Sequence, residues 1–197
     1  AQATADKMAT PLFTATTTDG QRTVAQPITT APELVYMASG GMLVHVATGN
    51  AFVHGDFGAS TVRQSIYGVW DKGVALTAPT LLRRSYTRLA SGAVVSSTPA
   101  AMDWSKYSGW AIDLPMGGEA VLTDPSYDAG VLSFVSTRPK TEAYGCNSMP
   151  GTTLYTVDPI AGQPERSTQG YDLVNGIQVL VAGKDIGDPK VRMVSNR

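Results

Sequence analysis

Catalysis and metal binding need side chains that converge, and this chain offers few that could. It has two histidines, His45 and His54, and one cysteine, Cys146. A Cys–His nucleophile pair is formally available. A single cysteine builds neither an internal disulfide nor a Cys-rich zinc site. His45 lies inside the apolar run Met42-Leu43-Val44-His45-Val46, where a strand residue with a hydrogen-bonded or exposed ring is the simpler reading. His54 and Asp56, in AFVHGDFG, read as a turn or a surface contact. The pairs Asp124 with Asp128 and Asp185 with Asp188 bring two carboxylates each, too few for a calcium loop, and read as turn caps. Arg83, Arg84 and Arg88 form a small basic cluster that reads as a solvated strand face rather than a phosphate site. The GxSxG, HExxH, P-loop and GxGxxG patterns are absent. Trp70, Trp104 and Trp110 either pack inside the fold or, with His54 and Asp56, offer a partner contact. No catalytic, cofactor or metal residue is assigned, and the expected function is binding rather than catalysis.

The elements that carry these residues are strands. Apolar runs are short and rich in Val, Ile, Leu, Thr and Tyr, and each is bounded by Gly, Pro, Asn, Asp or Ser. Thr80 to Leu89 reads as a strand or an irregular stretch. A turn followed by an apolar run occurs four times: SGGMLVHVATG with Gly41, ASGAVVSST with Gly92, DAGVLSFVST with Gly130 and VNGIQVLVAG with Gly176. These glycines are 51, 38 and 46 residues apart. A second pattern, an aromatic run ending in Asp and a Gly turn, occurs in IYGVWDKG, GWAIDLPMGG and LYTVDPIAG. Its aromatic residues, Tyr67, Trp110 and Tyr155, are 43 and 45 apart, and Asp71, Asp113 and Asp158 are placed to cap their own turns. Two interleaved patterns at one period of about 45 residues suggest a four-stranded unit that buries its faces by stacking on its neighbours, as propeller blades do. About four units give an incomplete ring, with open edges that another chain or the rest of a longer chain would cover. The expectation is a single all-β domain over residues 1–197, a C-terminal fragment of a larger β-propeller that is poorly stable alone. A β-sandwich is the structural alternative.

Bulk properties narrow the class further. Hydrophobic residues are 43% of the 197, enough for a sizeable core. A net charge of -1 gives no basic footprint for nucleic acid. The sequence contains no apolar run of about 18 residues that would span a membrane as a helix.

Four blocks of the sequence resemble a known family. PLFTATTTDGQRTVAQPITTAPEL, QSIYGVWDKG at residues 64–73, GWAIDLPMGGEAVLTDP at 109–125 after Asp103-Trp104, and Cys146 followed by GTTLYTVDPIAGQP are similar, in order, to segments of the PilC/PilY family of type IV pilus biogenesis and tip proteins. The resemblance covers residues 11–164. It implies the C-terminal part of that family's propeller, in an exported protein of the periplasm, outer membrane surface or pilus tip. It further implies support of pilus assembly, adhesion and twitching motility through contacts with minor pilins or other tip subunits. The family's D-x-D-x-D calcium loop has no counterpart here, so no cofactor is expected. The expected alternative is a stand-alone surface adhesin or carbohydrate-binding propeller. A quinone-dependent propeller dehydrogenase is disfavoured, because LYTVDPIAGQPERS lacks the tryptophan of that family's repeat and no adjacent cysteine pair exists.

Overall fold

The computed structural model describes residues 11–50, 62–73, 80–88, 94–96, 101–138, 151–163, 178–179 and 193–194. Every regular element among them is a strand, so the all-β reading holds. β1 (Thr16–Asp19) and β2 (Arg22–Ala25) form a hairpin. β3 (Glu33–Tyr36), β4 (Met42–Ala47) and β5 (Ser65–Asp71) form an antiparallel meander. β6 (Leu81–Arg88), β7 (Val94–Ser96) and β8 (Gly109–Asp113) extend it to six strands in the order β3-β4-β5-β8-β6-β7. In a second sheet, β11 (Val131–Arg138) is flanked on one side by β9 (Ala120–Val121) and β10 (Ser126–Asp128), and on the other by β12 (Gly151–Val157). β13 (Gln178–Val179) pairs with β14 (Met193–Val194).

The turn glycines act as their positions imply. Gly40 and Gly41, at φ 92° and 79°, reverse the chain between β3 and β4, and Ala129 and Gly130, at 49° and 87°, do so between β10 and β11. In the two-residue β10–β11 loop the two positive φ values match the twist of a tight hairpin, whereas the β3–β4 loop is longer, residues 37–41. The stretch from Thr80 forms β6, a strand.

The period is laid out differently from one unit per sheet. β5 and β8, which carry two successive copies of the second pattern, lie side by side in one sheet, with Tyr67 opposite Ala111 and Gly68 opposite Trp110. β6 then pairs parallel to β8. The third copy, β12, belongs to the other sheet. No closed sheet forms among the described residues.

Residues paired across neighbouring strands share a face of the sheet. One face of the six-stranded sheet carries Leu43 and Trp70, then His45, Trp110 and Leu82, then Ala47, Ile66, Ile112 and Arg84. It packs against Leu132, Phe134, Tyr155 and Val157 of the second sheet, with Val121 between. The other face carries Val46, Tyr67, Val69 and Ala111, which are covered by Leu12, Phe13 and Ala15. β5 and β8 are thus buried on both sides, which is why their sequences read as unbroken apolar runs rather than alternating ones. Each large side chain withdrawn fully from water contributes roughly 1.5–3 kcal/mol before the entropy of ordering it.

The two sheets are also stitched by two backbone N–H donors. Val121 N donates to Thr48 O at 3.1 Å, just beyond the end of β4. Ala31 N, two residues before β3, donates to Asp124 Oδ1 at 2.8 Å, two residues before β10. From that link β3 and β10 run out as the outer strands of their sheets.

Candidate functional site

The chemistry-bearing side chains that do converge meet at a turn following β12. Asp158 Oδ1 accepts the N–H groups of Ile160 at 2.7 Å and Ala161 at 3.1 Å. Gly162 N donates to Asp158 O at 2.8 Å, and Asp158 N to Gln163 O at 2.7 Å. The turn closed in this way presents two carbonyls to the six-stranded sheet. Pro159 O accepts from His45 Nε2 at 2.9 Å and from Trp110 Nε1 at 3.1 Å. Ala161 O accepts from Arg84 Nε at 3.1 Å and Nη2 at 2.9 Å. Three strands, β4, β8 and β6, therefore each send one donor side chain to a single turn.

Trp110 is the centre of this seam. Its indole lies against the backbone of Gly68 on β5 and of Gly162 in the turn, and a Cβ on either would come within 2.4 Å of a ring atom. Gly162 also adopts φ 62°, which favours glycine. The His45 ring stacks obliquely on Trp110 with centroids 5.6 Å apart.

The electrostatics follow from burial. Pro159 O can only accept, so Nε2 of His45 carries the proton. Its Nδ1 is buried without a hydrogen-bond partner. Desolvation holds His45 below the usual imidazole range, and the backbone groups of Pro159 and Glu33 oppose this only in part. Burial likewise lowers the Arg84 guanidinium, against the opposing influence of Tyr86 and Asp158. Tyr86, edge-on to Tyr155 at 5.7 Å, is pushed well above the normal phenol range by burial.

A second polar group sits in the interior of the β11 sheet. Glu119, fully buried just before β9, accepts from Ser136 Oγ at 2.5 Å and Tyr155 OH at 2.6 Å through Oε1. It ties β9 to β11 and β12. A third network lies on the face covered by the N-terminal segment. Gln26 donates to Arg63 O at 2.7 Å and Ser65 Oγ at 2.9 Å, and accepts from Tyr67 OH. Ser65 Oγ donates to Asp113 Oδ1 at 2.8 Å, which also pairs with Arg83 Nη1 at 2.7 Å.

The residues singled out in the sequence divide accordingly. Asp71 and Asp158 cap their turns, Asp71 by accepting Gly73 N at 2.8 Å. Asp113 does not: its Oδ1 is held by Ser65 and Arg83, because the neighbouring strands bring these donors to it. Asp124 caps the chain entering β3 rather than its own turn. Arg83 is exposed as expected of a solvated face, but Arg84 is buried, because adjacent strand residues point to opposite faces. His45 is buried and hydrogen-bonded. Trp110 is fully buried and Trp70 nearly so. Trp70 donates to Gly40 O at 2.9 Å, lies edge-on to the half-buried Trp104 at 5.2 Å, and carries Lys72 Nζ 4.0 Å above its ring. The three tryptophans form no common exposed surface. Gly92, Gly176, His54, Asp56, Cys146, Arg88's side chain, Asp185 and Asp188 lie outside the described residues.

Arg84, Glu119 and the Gln26–Tyr67 pair are the polar centres that sequence reasoning missed. For Arg84 the signal was available: in a strand reading LLRRSY, one of two adjacent arginines must face inward. Chemically, the seam's donors are directed at main-chain carbonyls, so it serves cohesion between sheets. Among the described residues no three His, Cys, Asp or Glu side chains gather as metal ligands. Compared with known protein-family models, curated proteins and solved structures, the chain matches none.

Proposed function

We propose that this chain is a non-enzymatic, exported component of a type IV pilus system that acts by binding minor pilins or other tip subunits. The reading rests on the four ordered blocks over residues 11–164 that resemble the PilC/PilY family. On this reading the meanders β3-β4-β5 and β10-β11-β12 are the cores of two blades packed face to face, in an arc of a propeller completed by another chain or by more of the same one. Both meanders end in a strand with the aromatic–Asp pattern, which supports the blade assignment.

The observation that carries a binding role is the edge at β3. This outer strand exposes Leu34 and Tyr36, with Met42 of β4 beside them, and Tyr36 is 82% exposed. An unpaired strand edge flanked by apolar side chains at alternate positions suits the addition of a partner strand. Retention of purified minor pilins on the full chain, with loss of piliation and twitching on deletion of the gene, is the expected result. A deletion strain with normal pili and no retention of any minor pilin would overturn the proposal. Burial of Trp110 and Trp70 removes the tryptophan surface that a carbohydrate-binding reading would use.

A further inference from the structure

The turn at residues 158–163 is held by groups that respond differently to acid. Trp110 and Arg84 keep their donors at any ordinary pH. His45 donates to Pro159 O through Nε2 and leaves a bare, buried Nδ1. Adding a proton there places a charge in the fully buried interior, and the Glu33 backbone offsets the lost hydration only in part. From β3, Glu33 stands opposite His45 in register. β5 and β8 supply the uncharged Gly68 and Trp110. The turn supplies Asp158, and β6 supplies Arg84 on the neighbouring carbonyl.

We infer that His45 is an acid-sensitive latch: its protonation releases the 158–163 turn from the six-stranded sheet and loosens the seam between the two sheets. Desolvation lowers the folded-state affinity of His45 for a proton below the ordinary value of 6.5. The open form therefore binds the proton more readily. The closed seam is fully favoured above about pH 6.5, and loses stability as pH falls from there toward the lower folded value. Within that window each unit of pH changes the opening equilibrium by up to about tenfold.

The test is hydrogen exchange at Ile160, Ala161 and Gly162 in the full chain between pH 7.5 and 5.5, corrected for the intrinsic rate. This range stays clear of free carboxylates, which ionise at about 4. Protection should fall by up to about tenfold per unit below pH 6.5 in the wild type and in His54→Gln. It should be flat in His45→Gln, whose amide can still donate to Pro159 O. Flat protection in the wild type, or an unchanged loss in His45→Gln, overturns the inference. If His45→Gln does not fold, the ring titration of wild-type His45 by NMR decides. A midpoint below 6.5, moving together with the Trp110 indole proton, supports the latch, and a midpoint at or above it sinks it.

Discussion

Trp110 has main chain on both sides of its ring, so the atoms it lacks room for can be named. Gly68→Ala and Gly162→Ala each drive a methyl group into the indole. Overpacking of this kind costs typically about 1–3 kcal/mol. Gly162→Ala adds the strain of a positive φ, roughly 1–2 kcal/mol. Gly73→Ala is the control, since its φ is 74° but nothing lies within 4 Å of the added carbon. Denaturant midpoints should rank wild type above Gly73→Ala, and Gly73→Ala above Gly162→Ala. An equal effect at Gly73 and Gly162 would mean that the indole contact is unimportant. Glu119 is the other sharp point. Removing its carboxyl in Glu119→Ala leaves the Ser136 and Tyr155 hydroxyls without their acceptor, at roughly 1–3 kcal/mol for each donor stranded in the core. Glu119→Gln keeps an acceptor for both and should lose less, as equilibrium unfolding can measure. At this scale the sequence was read well where a residue acts on its own neighbours. Asp71 and Asp158 cap turns two or three residues away. It was read poorly where the partner is distant, as for Asp113, whose partners stand 30 and 48 residues back along the chain.

Among the elements, hairpins were the legible part, because their signals are local. Two residues at positive φ between apolar runs specify β3–β4 and β10–β11 wherever these lie in space. The neighbour order was not legible. Nothing in β5 or β8 announces that they pair, because an apolar run buried on both faces suits any central position. β6 enters parallel beside β8, where Leu82 and Arg84 are buried. The outer position of β3 has a testable consequence. Leu34→Lys combined with Tyr36→Lys changes side chains that the fold leaves substantially exposed. Stability should shift by no more than roughly 0.5 kcal/mol per substitution. Retention of a minor pilin, by contrast, should fall at least tenfold, because charged edge strands resist pairing. Unchanged retention by a folded double variant would move the contact elsewhere without touching the pilus proposal itself.

For the molecule as a whole, the all-β class follows from composition and turn spacing. The two main sheets share one core, and beyond the Ala31–Asp124 link their outer strands β3 and β10 have no further strand beside them among the described residues. If a partner normally covers these edges, the chain alone should melt broadly or self-associate. Calorimetry with sedimentation over a range of concentrations reads this directly. A monomer with one sharp, concentration-independent transition would show that the fold is self-sufficient.

The seam also fixes an order of events during synthesis. His45 and Trp110 stand 114 and 49 residues ahead of the carbonyl they share, and Arg84 stands 77 ahead of its own. At about 5–20 residues per second, a ribosome needs roughly 2–10 s to go from Trp110 to Pro159. For that interval His45 and Trp110 are made but the carbonyl they share is not, and the indole face that Gly162 covers is open to water. A chain cut short before residue 158 would never gain that carbonyl, so the pairing of the two sheets is among the last contacts synthesis makes available.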